Sequence, residues 1–128
     1  MELAYNYLIH ILSAFAMLAF FVAIYFKVTP FDEMALIRDG NLAPALSFGG
    51  AMTGFSLTLA SSIMHNPTWL TFLIWAASGM AVQLVAYILT SRMLPHMNEA
   101  LQEDNIAMGT LMGAISVSVG VINAGCMS

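Results

Sequence analysis

Charged residues along this chain fall in clusters separated by long apolar stretches. None lies between Glu2 and Lys27, none between Asp39 and Arg92, and none after Asp104. A spanning helix needs about 20 apolar residues, because each rises about 1.5 Å and the hydrocarbon core is about 30 Å thick. The first and last silent stretches each hold one such helix. The middle one is too long for a single helix, and His65-Asn66-Pro67-Thr68 divides it with a turn-forming tetrad whose proline cannot continue a helix. The pattern predicts an all-α membrane protein with spans at 3–26, 41–64, 69–91 and 105–126.

Composition agrees with the pattern. Three bases and seven acids in 128 residues, against 60% apolar residues, are far below the roughly 25% charged content of a soluble domain. The formal charge of −4 also excludes a nucleic-acid partner, since nothing here would neutralise a row of phosphates. A lone Cys126 excludes an intrachain disulfide. The first span lacks a basic n-region and a small-residue cleavage site and is longer than a signal-peptide core, so it is expected to stay as a helix. Lys27, Arg38 and Arg92 all follow the first or third span. The positive-inside rule then puts connectors 27–40 and 92–104 in the cytoplasm, with both termini and the His65 turn outward.

The two connectors resemble each other. KVTPFDEMALIRDGNLAPAL and RMLPHMNEALQEDNIAMGTL align with short gaps through Lys27/Arg92, Pro30/Pro95, Glu33/Glu99, Ala35/Ala100, Leu36/Leu101, Asp39/Asp104, Asn41/Asn105 and Ala43/Ala107. Each half of the chain, 1–66 and 67–128, thus reads as one helical hairpin. Two spans per copy, an even number, give tandem parallel repeats rather than inverted ones. Asn41 and Asn105 suit the N-caps of the second and fourth spans. Within the connectors, a short amphipathic turn at the membrane surface is the plainer expectation. Glu33, Asp39, Asn41, Glu99, Asp104 and Asn105 would line a cytoplasmic vestibule if several chains surrounded a pore.

Tandem apolar hairpins, acidic connectors ending in Asn-Leu-Ala or Asn-Ile-Ala before a Gly-rich helix, and the terminal Asn123-Ala124-Gly125-Cys126-Met127 together resemble the YjfL-like family of bacterial inner-membrane proteins. The resemblance covers nearly the whole chain. It implies a four-span inner-membrane protein and supplies no catalytic residues to carry over.

The second and fourth spans differ from the other two. Ser47, Gly50, Gly54, Thr58 and Ser61 share one face of the second, and Gly109, Gly113, Ser116, Gly120 and Asn123 one face of the fourth. A second small stripe runs through Ala45, Gly49, Ser56 and Ala60, and through Ala107, Ala114, Ser118 and Gly125. Small residues let helix backbones approach where lipid offers no hydrophobic drive to association. One stripe suffices to pack the two spans together, and the other is then left for a neighbouring subunit or a pore. The first set are candidate pore or helix-interface residues. The bulky residues of the first and third spans, Phe15, Phe20, Phe21, Tyr25, Phe26, Trp69, Phe72, Trp75 and Tyr87, are expected to face lipid.

These features lead to a homo-oligomeric ion channel or passive small-solute pathway lined by the second and fourth spans. No charge at the bilayer centre argues against a proton-coupled pump or voltage sensor. A non-conducting scaffold or stress-associated subunit that recruits a cytoplasmic protein through its acidic connectors is the alternative. Gln83, mid-span, is expected to bond a neighbouring helix. His10, Met64, His65, Cys126 and Met127 reach one membrane side and carry soft ligands of the kind Cu(I) takes. Their spacing matches no metal site, and eleven methionines fit apolar packing, so no metal or cofactor is expected. Glycine-rich phosphate loops, His-Glu-x-x-His and nucleophile triads are absent from the sequence, and no enzyme activity is expected.

Overall fold

A computed structural model describes residues 2–29, 31–94 and 96–127. They form α1 (Glu2–Val28), α2 (Glu33–Arg38), α3 (Leu42–His65), α4 (Trp69–Met93), α5 (Met97–Gln102) and α6 (Ile106–Cys126). Helices α1, α3, α4 and α6 are long and apolar enough to cross a membrane. The short α2 and α5 lie at one end of the bundle, between the spans. At the other end α3 and α4 are joined by the predicted turn, where Asn66 donates to the Ser62 carbonyl at 2.8 Å and the Thr68 hydroxyl caps α4 by accepting from Thr71 N–H at 3.3 Å. Capping satisfies backbone groups that the helix end leaves open.

The spine of the bundle is α3 packed along α6. Its density comes from glycine. A methyl group built on Gly50 would collide with the Cα and carbonyl of Gly113, one on Gly109 with the backbone of Ala43, and one on Gly120 with the backbone of Gly54. Backbones this close exclude any side chain between them, as small-residue membrane interfaces require. Hydrogen bonds across the seam add directionality: the Thr58 hydroxyl donates to the Gly120 carbonyl at 3.2 Å and the Ser61 hydroxyl to the Ala124 carbonyl at 2.7 Å.

Helix α4 lies against this pair. Gln83 Nε2 donates to the Ser116 carbonyl at 2.9 Å, and Asn123 Nδ2 donates to the Gly79 carbonyl at 3.3 Å. Helix α1 is held by its second half. Phe21 stacks on Phe55 with ring centres 4.7 Å apart, and Tyr25 lies 5.0 Å from the ring of Tyr87. Phe21, Tyr25, Phe72 and Tyr87 are therefore core residues, which corrects their expected place against lipid. Phe15, Phe20, Trp69 and Trp75 do face outward. In helices apolar on every side the packed face is chosen by the neighbours, and the sequence leaves its phase open.

The connectors share one backbone design. In the first, Leu36 N–H bonds the Asp32 carbonyl, Asp39 N–H that of Ala35, Gly40 N–H that of Ile37 and Asn41 N–H that of Leu36. In the second, the same four bonds recur 64 residues on: Ala100 to His96, Glu103 to Glu99, Asp104 to Leu101 and Asn105 to Ala100. Gly40 and Asp104 occupy the left-handed position that ends each short helix, with φ of 91° and 60°. This register has no gaps. It sets Glu33 at the place of Met97, and Glu99 at that of Ala35, which corrects the gapped pairing of Glu33 with Glu99.

Candidate functional site

The small-residue faces found in the sequence divide into two sites of different kind. Ser47, Gly50, Gly54 and Thr58 of α3 and Gly109, Gly113, Ser116 and Gly120 of α6 are all buried. They form the seam inside one subunit, and Asn123, half-buried, ties its end to α4. The Thr58 hydroxyl is occupied by backbone carbonyls and that of Ser47 by the Tyr25 hydroxyl, as buried polar groups require where water is excluded.

The opposite side of the same pair is open. Ala45, Gly49 and Thr53 of α3 and Thr110, Ala114 and Ser118 of α6, flanked by Leu46 and Val117, line a shallow groove of about 600 Å³ that also reaches Gly50 and Gly113. Thr53, Ser56, Thr110 and Ser118 are exposed. Ser56 and Ser118 direct their hydroxyl protons to the carbonyls of Met52 and Ala114 one turn back, at 2.8 Å each. Ser118 lines the groove, whereas Ser56 opens toward α1 beside Ala14, Phe15 and Leu18. A side chain added at Gly49 would meet nothing within 4 Å, so this position is small without any need of the monomer's own packing.

The expected vestibule residues separate. Asp39 and Glu99 are exposed, and Glu99 pairs with His96 at 3.1 Å. Asn105 caps α6 by accepting from Met108 N–H at 3.2 Å. Asn41 does not cap α3. Its amide donates to the Leu36 carbonyl at 3.1 Å, and the cap comes from the other connector, where Asp104 Oδ1 accepts from Ala43 N–H at 2.8 Å. The left-handed turn at Asp104 brings a side chain where glycine would offer none, so one connector reaches across to the start of the seam.

Glu33 departs furthest from expectation. It is 2% exposed, with neither carboxyl oxygen hydrogen-bonded among the described residues. Its charge is within electrostatic reach of the Tyr25 and Tyr87 hydroxyls. Those hydroxyls are engaged elsewhere, Tyr25 with Ser47 at 3.3 Å and Tyr87 with Asn98 Oδ1 at 3.3 Å. Desolvation pushes Glu33 up to about 8, with the nearby Thr29 hydroxyl offsetting part of the shift. A gapless comparison of the connectors is the signal in the sequence that places it, because it sets Glu33 where the other connector has a buried methionine.

Among the described residues no three His, Cys, Asp or Glu side chains gather as a metal site. His10 Nδ1 lies 2.7 Å from the Asn6 carbonyl and its ring 5.6 Å from that of Phe72, while His65 Nδ1 lies 2.9 Å from the Ser61 carbonyl.

Four apolar spans joined by short connectors define a multi-pass integral membrane protein. More specifically, the chain belongs to the family described as Domain of Unknown Function (DUF350), which it matches over residues 1–127. It is 30% identical over 113 residues to the inner membrane protein YjfL of Escherichia coli (strain K12), covering 88% of this chain and 86% of that one. It is 27% identical over 109 residues to the transmembrane protein YshE of Bacillus subtilis (strain 168), covering 84% and 81%. No solved structure matches it. The protein is thus a multi-pass inner-membrane protein.

Proposed function

We propose that this chain is the subunit of a homo-oligomeric passive pathway for an ion or small solute, with the outer face of α3 and α6 turned to the path and both connectors in the cytoplasm. The observation that supports it is the contrast between exposed faces. Those of α1 and α4 carry Leu8, Leu12, Phe15 and Phe20, and Leu70, Ile74, Trp75 and Val85, as a lipid-facing surface should. The groove between α3 and α6 carries alanine, glycine and hydroxyls, with Leu46 and Val117 as its bulky apolar side chains. Lipid has no need of such a face. Water or a second subunit does. With α3 and α6 packed backbone to backbone, the seam leaves no room for a channel inside one subunit, so the path forms only where several such grooves meet.

A second reading draws on Asp32, Asp39, Glu99 and Glu103, all exposed. They would present acidic ends to a cytoplasmic protein, and the chain would be a non-conducting scaffold. Purified protein in liposomes separates the two. The pathway reading expects flux of a small cation or anion above protein-free vesicles, together with an oligomer in native mass measurement. Flux at the protein-free level from a monomer would remove it.

A further inference from the structure

We propose that Glu33 is a proton-binding site, and that α2 seats against the bundle only with one proton on this carboxyl, taken up from the bathing phase as the connector docks. The proposal goes beyond the pathway above and does not depend on it. Three observations carry it. The carboxyl is almost wholly buried at the membrane surface, with neither oxygen hydrogen-bonded among the described residues. A buried carboxylate needs donors or an opposite charge, and without them it takes up a proton.

The groups facing it come from every neighbouring element, and none supplies a positive charge. From α1 come Tyr25 and the buried Thr29, whose hydroxyl donates to the Tyr25 and Phe26 carbonyls at 3.2 Å. From α4 comes Tyr87, while Ser47 of α3 lies one step further, bonded to the Tyr25 hydroxyl. Helix α5 turns Met97 and Leu101 inward and keeps His96 and Glu99 in solvent, paired to each other. Lys27, Arg38 and Arg92 are exposed. The third observation is the twin connector. At the same register it buries Met97, 1% exposed, so the position calls for an uncharged side chain of about this length. A protonated glutamate meets that need, and an ionised one does not.

The sign follows from linkage. Seated, the carboxyl holds its proton up to about pH 8; released into water, it returns to the ordinary value of 4.5. Seating is therefore strongest below pH 4.5. It weakens as pH rises between these values, on the order of tenfold per pH unit, and levels off above about 8, where both states are ionised. Neutral pH lies inside the window.

Two measurements test this on the full chain in nanodiscs. In protein labelled with ¹³C-glutamate, one of the four glutamates should titrate well above the other three; four ordinary carboxylate titrations would overturn the proposal. Hydrogen exchange of the α2 amides, corrected for intrinsic pH dependence, should lose protection about tenfold per unit between pH 5 and 7.5. In Glu33→Gln and Glu33→Met it should stay flat. Parallel profiles in wild type and variants would show that α2 docks without a proton on Glu33. Protection restored above pH 8 by sodium, but not by N-methylglucamine, would assign the carboxylate to an alkali cation and also overturn the proton.

Discussion

Helix α3 carries two faces of nearly the same composition and opposite fate. Gly50, Gly54 and Thr58 are shut against α6, where an added methyl at either glycine would meet backbone atoms, while Gly49 and Thr53 on the other side look onto an open groove. Small size serves close approach in the first case. In the second, the subunit itself has no use for it. A stripe of small residues in a membrane helix thus says that something comes near, and only the partner tells whether that is the same chain, another copy, or water.

The contrast can be broken at graded cost. Gly120→Leu should do most damage, because its side chain would have to pass through the backbone of Gly54. A loss of about 3 kcal/mol, at the upper end of overpacking penalties, is expected in denaturant unfolding in micelles. Asp104→Gly tests the start of the seam: it keeps the left-handed turn and removes the cap on Ala43 N–H. It should cost about 1 kcal/mol, and Asp104→Asn should restore most of that. Gly49→Leu should change unfolding by under about 0.5 kcal/mol, since nothing in the subunit opposes the added side chain. It should nevertheless reduce the oligomer to smaller species in native mass measurement. Unchanged oligomer size would take the groove out of subunit contact.

Much of this arrangement was legible beforehand. Charge-free lengths located four spans within two residues of their ends, and steps of three and four found both small stripes. What escaped was set by neighbours. Phe21 and Phe20 are equally apolar, yet one is stacked on Phe55 and the other faces out, because a helix without a polar side has no phase to read. Polarity alone puts Glu33 at the surface, yet of the two connector glutamates Glu99 is the one in solvent. Pairing the two glutamates requires gaps, whereas the backbone bonds follow a gapless register in which Glu33 answers to Met97. The cap on α3 was missed for a related reason: Asn41 is the local candidate, and the oxygen that does the capping comes from Asp104, in the other connector.

The proposed path runs along the outer face of α3 and α6 and not through the seam between them. Single cysteines on the two faces test it most directly, in a Cys126→Ser background because the native thiol is exposed. With Thr53→Cys, a charged thiol reagent should modify the protein in liposomes and block flux. With Thr58→Cys, where the side chain is fully buried, the same reagent should leave both protein and flux unchanged. Modification and block at Thr58→Cys, with Thr53→Cys indifferent, would put the path in the seam and contradict the account.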